Sequence, residues 1–409
     1  MIPKQSSTAS RTLISHVADW LMTQALGEND LEKIVMGCCE RLRAAGLPLV
    51  RGHFAFTILH PLNSAIGVTW TRGDGTTVQG YPHVPGGTSD MFKQSPHFYM
   101  IERNLDYMRA RICDKTGQYD FPILEDLKKE GVTEYLAFVV GFTPNRRSGM
   151  LGSWATDAAD GFSDDAIDAL LRIQDRLAVA CKMAMKTRLM GNVAFTYLGP
   201  NAGARVLDGQ IKRGDGQAIE AAIWYSDLRG STAMADNLPA QDYIDNLNTY
   251  FDATGGAVRD EGGEILSFIG DGLLAIFPKS DDEAELVGAG RRALAASFDA
   301  HTRIKEANEA RGPLAKDPLK FGIALHMGEV MYGNVGVPER LTFSVFGAAV
   351  NEVVRLEQLT KELSEPILIS DQFVGSIGDG CRLVGEHGLR GVGRRMVVHA
   401  PLGSRAAAA

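Results

Sequence analysis

Cysteine is scarce in this chain, five in 409 residues, and Cys38, Cys39, Cys113, Cys181 and Cys381 offer neither an even count nor metal-ligand spacing. That argues against a disulfide framework or a zinc site and fits a reducing, cytoplasmic setting. Positive charge is short as well: 42 Lys and Arg against 50 Asp and Glu leave a formal net charge of −8, without the basic footprint of a nucleic-acid-binding surface. No apolar run approaches the ~18 residues of a spanning helix, and no apolar segment follows the polar first dozen residues, so a soluble protein without a membrane span is expected. His53, His60, His83 and His97 lack the spacing of a metal motif and read as ordinary surface or core residues. What the chain does have is 45% hydrophobic and 22% charged residues over a length sufficient for two domains.

The stretch from Ile223 to Phe277 concentrates the chemistry. An apolar, aromatic run reads as a buried strand ending at Asp227; Leu228, Arg229, Gly230, Ser231 and Thr232 follow as a tight turn into a helix. Glu264 to Ile269 and Leu273 to Phe277 read as a hairpin with Gly270-Asp271-Gly272 at its tip. Carboxylates at the ends of two neighbouring strands can share Mg²⁺, which takes one or two carboxylates together with substrate phosphates. The backbone N–H groups from Leu228 to Thr232, at a helix N-terminus, make a matching cradle for a polyphosphate. Taken singly, Asp271 fits a plain turn and Asp227 a plain N-cap.

Four ordered stretches settle the weighting: WYSDLRGST (224 to 232), GGEILSFIGDGLLAIFP (262 to 278), GIALHMGEVMYGNVG (322 to 336) and FSVFGAAVNEVVRLE (343 to 357). With them the chain from about Gly214 to Ala400 resembles the class III nucleotidyl cyclase catalytic domain. The resemblance implies a ferredoxin-like palm of βαβ units, a head-to-tail homodimer, and cyclisation of a purine nucleoside triphosphate with release of pyrophosphate. It also implies two Mg²⁺ (or Mn²⁺) ions per site, held by Asp227, Asp271 and the Leu228 carbonyl, and triphosphate contacts from Arg229, Gly230, Ser231 and Thr232. Asn351 and Arg355, four apart on one helix face, match the residues that position the ribose and stabilise charge on the α-phosphate. The basic loop Leu389 to Arg395 matches the one that reaches the triphosphate tail; the cation falls on Arg390 or on Arg394, and Arg390 is taken. His326 could serve as a base, but metal-assisted chemistry does not require one, and a structural role is preferred.

Base choice is where the chain departs from the family. Adenylyl members carry Lys and Asp at the two base-reading positions and guanylyl members carry Glu and a small donor, whereas here they are Ser267 and Ser344. A hydroxyl both donates and accepts. An adenylyl type with Thr in place of that Asp exists in the family, which inclines the reading to ATP; GTP, or a weakly active nucleotide-binding regulatory module, are the alternatives.

Upstream, Leu13 to Ala45 reads as two short helices, His53 to Thr71 as two strands, Gly73 to Ser95 as a long irregular segment, and Tyr135 to Ala155 as a hairpin around Pro144-Asn145. This α+β order, closed by a helix, resembles a GAF-type sensory domain with a small-molecule ligand of its own. Ser163 with Asp164 and Asp165 starts a helix. Its Leu170, Ile173, Leu177, Ala180 and Ala184 form either a coiled-coil-like seam in a dimeric linker or the closing face of the sensor. The organisation expected is therefore a GAF-like α+β domain over 1–162, a helical linker and hinge over 163–216, and the ferredoxin-like cyclase domain over 217–409.

Overall fold

The alternation of apolar and polar residues between His53 and Trp70 resolves, in a computed structural model, into the centre of a six-stranded antiparallel sheet. The structure describes residues 11–27, 30–112, 119–143, 149–278, 284–312, 316–378 and 380–404. The chain divides into two units, Met1–Val193 and Ala194–Ala409. Among the described residues no helix is long and apolar enough to cross a membrane.

The first unit runs α1 (Arg11–Leu26), α2 (Leu31–Ala44), β1 (Arg51–Thr57), β2 (Asn63–Thr71), β3 (Gly75–Pro82), α3 (Asp90–Lys93), α4 (Pro96–Glu102), β4 (Tyr107–Arg111), α5 (Pro122–Lys129), β5 (Glu134–Gly141), β6 (Gly149–Thr156) and α6 (Asp164–Leu198). Its sheet order is β3-β2-β1-β6-β5-β4. Even-numbered β1 residues Phe54 and Phe56 join Trp70, Phe138 and Trp154 in a core shared with α1, α2 and the first half of α6. The opposite face carries a second cluster built on Met108, Leu127, Tyr135 and Val139.

Strand β3 falls inside the segment expected to be irregular, and β4 was not foreseen. Both are edge strands, and β3, of sequence Gly-Thr-Thr-Val-Gln-Gly-Tyr-Pro, is largely exposed, so burial never imposed the apolar alternation that marks a strand. The expected turn at Pro144-Asn145 lies outside the described residues. Ser163 caps the start of α6 as predicted, accepting from the Ala166 N–H at 3.2 Å. Leu170, Ile173, Leu177 and Ala180 are buried in the first unit's own core. The expected 163–216 linker thus contains most of α6, and its 199–216 hinge holds α7 (Pro200–Leu207), where Pro200 occupies the first helical turn and Ala202 packs into the second unit.

The second unit continues with β7 (Gly216–Leu228), α8 (Ser231–Asn237), α9 (Ala240–Asp260), β8 (Glu264–Ile269), β9 (Gly272–Pro278), α10 (Ala284–Arg311), β10 (Phe321–Val337), β11 (Arg340–Phe346), α11 (Ala348–Glu362), β12 (Ile367–Ser370), α12 (Asp371–Ile377), β13 (Cys381–Gly388) and β14 (Arg395–Pro401). The inner strands lie in the order β10-β7-β9-β8 and pair antiparallel throughout, which for the sequence β7-α9-β8-β9-α10-β10 is the ferredoxin-like arrangement. On β7 the side chains of Ala222 and Trp224 face α9 and α10, while Ala221, Ile223 and Tyr225 face α11. Ala289, Ala293, Ala296 and Ala300 recur at helical spacing along α10 and let it close on that sheet face, where the Trp224 indole donates to Ser297 Oγ at 2.9 Å.

Glu134, fully buried at the start of β5, closes the loop ahead of α6: it accepts from the Phe162 N–H at 2.6 Å and is ion-paired with Arg109. Glu134→Ala leaves the Phe162 N–H without its acceptor and takes the buried carboxylate from Arg109, and is expected to lower the unit's stability by on the order of 2–3 kcal/mol, less than for a fully buried pair because Arg109 keeps the Phe162 carbonyl, Asp164 and some solvent. Urea denaturation followed by tryptophan fluorescence checks this, and a loss below ~1 kcal/mol would show that water substitutes for the carboxylate.

Candidate active site

Asp227 is the penultimate residue of β7 and pairs in register with Gly272, the residue after Asp271. Asp271 occupies the two-residue loop between β8 and β9, after Gly270 at φ +63°, a left-handed conformation suited to glycine. The strand pairing therefore sets the two carboxylates side by side. Burial pushes the Asp227 carboxyl up to about 6, the charge of Asp271 pushes the same way, and Arg229 opposes. Among the described residues neither aspartate has an ion-pair partner; Asp271 accepts from Ser231 Oγ in a short hydrogen bond.

Two clustered carboxylates with no cation of their own are the donor set of a hard divalent ion. Among the described residues no group of three His, Cys, Asp or Glu converges here. A Mg²⁺ or Mn²⁺ shell at this place would thus be completed by a carbonyl such as that of Leu228 and by substrate oxygens, which suits an ion that keeps few protein ligands.

The turn that follows differs in detail from the expected cradle. The Leu228 N–H donates to the Asp271 carbonyl at 3.3 Å and the Arg229 N–H to the Lys320 carbonyl at 2.7 Å, so the sheet margin already uses both. Gly230 caps α8 at φ +72°, and the first-turn N–H groups at Ser231 and Thr232 have no intrahelical acceptor. Arg229 is directed elsewhere than the triphosphate role expected of it: its guanidinium is ion-paired with Glu357 at 3.0 Å and hydrogen-bonded to Thr360. Gly322 makes room for this pair, since a Cβ there would lie 2.2 Å from the guanidinium. Burial raises the Glu357 carboxyl to about 7, Arg229 opposes, and Asp227 adds to the rise. Sequence reasoning missed Glu357, although it closes the VNEVVRLE stretch six residues after Asn351; only the three-dimensional approach of α11 to Asp227 exposes its role.

Asn351 is exposed and Arg355 partly buried on the outer face of α11, opposite the apolar Val353 and Leu356, and the Arg355 guanidinium donates only to Gln358, at 3.1 Å, among the described residues. No hydrogen bond or ion pair among the described residues joins either to Asp227 or Asp271. Arg394 donates to Glu352, whereas Arg390 is exposed and has no bonded partner among the described residues. His326 is buried between Ser370, 2.8 Å from Nδ1, and Glu352, 3.1 Å from Nε2; burial lowers it to about 4. That is a structural histidine. Ser267 sits in β8 beside a register irregularity, with its hydroxyl 3.4 Å from the Phe268 carbonyl, and Ser344 is buried in β11 across from Gly333.

Raised carboxyl pKa values make the metal-free fold less stable as pH climbs. The folded state holds protons on Asp227 and Glu357 that the unfolded chain has released, so stability is fullest below about pH 4 and declines through the window up to about 6 and 7, respectively. Without divalent cation, Asp227→Asn should therefore be more stable than the natural protein at pH 7.5, by on the order of 1–3 kcal/mol, with the gap closing toward pH 4. Thermal melts in EDTA across that range check the sign; a gap that widens on acidification would refute the assignment.

Residues 216–379 match the family model described as the adenylate and guanylate cyclase catalytic domain. Similar curated proteins include a terminal-differentiation specific adenylate cyclase of Dictyostelium discoideum, 30% identical over 210 residues that make up 51% of this chain and 9% of that protein. An adenylate cyclase of Anabaena cylindrica is 27% identical over 52% of this chain and 42% of its own length. The chain thus spans less than half the length of either relative. Among solved structures, the guanylyl cyclase Cya2 aligns at 30% identity over 45% of this chain and 92% of its own, with a TM-score of 0.41. The adenylyl cyclase CyaB from P. aeruginosa aligns at 25% identity over 46% and 96%, with a TM-score of 0.42.

Proposed function

We propose that this chain, whose residues 216–379 belong to the adenylate and guanylate cyclase catalytic family, is an adenylate cyclase that converts ATP to 3′,5′-cyclic AMP and pyrophosphate. The observation that carries the reading is the apposition of Asp227 and Asp271 at adjoining strand ends with no cation partner among the described residues. Two Mg²⁺ or Mn²⁺ ions held by Asp227, Asp271 and the Leu228 carbonyl would supply an acidified ribose 3′-hydroxyl and a neutralised leaving group.

The chain's own residues supply position and charge. The N–H groups of Ser231 and Thr232, with Arg390, hold the polyphosphate and keep the leaving pyrophosphate in line with the attacking oxygen. Asn351 orients the ribose, and Arg355 donates to the α-phosphate oxygens as charge grows there, an interaction of several kcal/mol when aimed at the transition state. The 3′-oxygen bonds to the α-phosphorus, the bond from that phosphorus to the bridging oxygen breaks, and the hydroxyl proton leaves to solvent. Arg229 acts through Glu357 and Thr360, keeping the end of β7 rigid. Ser344 accepts from the adenine amino group, and Ser267 adds a neutral donor.

The family resemblance extends the reading to a head-to-tail homodimer in which each of two sites draws Asp227 and Asp271 from one subunit and Asn351 and Arg355 from the other. The GAF-like N-terminal unit is assigned a regulatory role. Purified protein assayed with ATP and with GTP, each with Mg²⁺ or Mn²⁺, decides between this reading, a guanylate cyclase, and a nucleotide-binding module without turnover.

Asp227→Ala and Arg355→Ala proteins are each expected to lose at least ~100-fold of the cyclisation rate while melting cooperatively. Mixed under conditions of subunit exchange, they should recover about a quarter of natural activity, since half the dimers are heterodimers and half of the sites in those are intact. Exchange demonstrated without recovery would disprove shared sites. Separately, Ser267→Lys should raise the ATP-to-GTP rate ratio, because an ammonium donates to the unprotonated N1 of adenine and meets a proton on N1 of guanine. An unchanged ratio would show that position 267 does not face the base.

A further inference from the structure

A cavity of about 670 Å³ opens in the N-terminal unit, on the sheet face turned away from α1, α2 and the start of α6. Its floor follows from strand parity. Phe54 and Phe56 of β1 enter the helical core, which turns Arg51, His53 and Ala55 toward the cavity, beside Leu151 and Ser153 of β6. Gly67 of β2 keeps the floor open: a Cβ there would stand 2.9 Å from the His53 ring and 3.1 Å from that of Tyr81. The roof is formed from the 84–95 segment and α5, which contribute Met91, Phe92 and Ile123. The volume is that of a small-molecule site.

Four titratable groups lining this cavity find partners within the protein, and a fifth does not. His53 Nδ1 lies 2.7 Å from Thr69 Oγ1, and burial lowers its pKa to about 3. His97 Nε2 donates to the Gly152 carbonyl at 2.9 Å and is likewise held neutral by burial. Tyr135 is hydrogen-bonded to Ser153, and Asp126, at the rim, is paired with Lys129 at 2.9 Å. Arg51 is the exception. It is half-buried, and burial presses its pKa below the usual arginine value against the opposing attraction of Tyr135, Glu130 and Tyr81, yet it has no ion pair within 4 Å and no side-chain hydrogen bond among the described residues. A half-buried arginine with no bonded acceptor keeps its N–H donors available, and a fixed fork of donors at the wall of a largely apolar hollow is matched by a planar anion.

We propose that this cavity binds a small organic carboxylate, its charge paired with Arg51 and its apolar body held between Ala55 and Leu151 on the floor and Phe92 and Ile123 above. A bare inorganic anion would satisfy the guanidinium and leave the apolar walls wet. A neutral apolar molecule would fill the walls and leave the cation unanswered. The carboxylate with an apolar body meets both demands.

The test titrates the full chain with benzoate, 3-phenylpropionate and hexanoate, with the corresponding amides, and with inorganic phosphate, by calorimetry and thermal shift. At least one carboxylate should bind at one per chain and at least ten times more tightly than its amide. Arg51→Gln should erase that preference, and Ala55→Phe, which fills the floor, should abolish binding of acid and amide alike. Should Arg51→Gln fail to fold, Ala55→Phe decides alone, and a carboxylate that binds it unchanged overturns the proposal. The proposal also falls if none of the three carboxylates binds, if phosphate alone binds, or if acid and amide bind equally to the natural protein. None of these outcomes depends on nucleotide turnover, so the cyclase reading stands or falls separately.

Discussion

Two carboxylates held together against their own repulsion, Asp227 and Asp271, are the constraint on which the proposed site depends. Nothing local favours placing Asp227 beside Asp271: burial raises the energy of ionising Asp227, and the charge of Asp271 adds to the cost. The pair persists because the surrounding sheet leaves no alternative. β7 is paired along its whole length with β10 and, over 221–227, with β9, so the register that buries Trp224 and Ile276 also fixes Asp227 against the hairpin tip. Core packing holds an electrostatically unfavourable constellation in place, and under the proposed function divalent cations would be drawn to it for the same reason that it destabilises the metal-free fold.

The arginine nearest the acids shows how the same sheet excludes a simpler solution. Were Arg229 free to swing over Asp227 and Asp271, it would neutralise the site and occupy it. Gly322 instead opens a slot through which the guanidinium reaches Glu357 and Thr360 of α11. The positive charge is close enough to offset part of the rise in the Asp227 pKa and too well tethered to take the place of a metal ion.

Legibility in the sequence followed burial. The centre of the second unit could be read because its strands are continuous apolar runs ending in acid-glycine turns, and because four motifs in order are hard to assemble by accident. The ferredoxin-like order followed from that reading. Edge strand β3 could not be read, since a strand that never enters a core has no reason to alternate; β4 does bury Met108 and Ala110, but over only five residues. The seam of α6 was ambiguous because a 3-4 apolar spacing looks alike whether the partner is a sheet or another helix; the structure buries it in the first unit's core. At the site, Asp227 and Asp271 were legible from the turns that carry them. The Arg229–Glu357 pair was not, because it joins residues 128 positions apart through a glycine whose purpose is to be empty.

The pairing of β7 with β10 also sets an order of events during synthesis. One edge of β7 can be covered by β9 once residue 278 is available, but its other edge waits for residues 321–333 of β10. At the ~5–20 residues per second of translation, that edge stays open for roughly 3–10 s after β9 has been made. Throughout that interval β7, whose 221–226 stretch is buried in the finished unit, presents unpaired backbone groups, the template for mispairing with another nascent chain. The hundred-residue separation that lets one long strand organise the sheet makes the protein's yield in the cell depend on how well this half-built sheet is shielded.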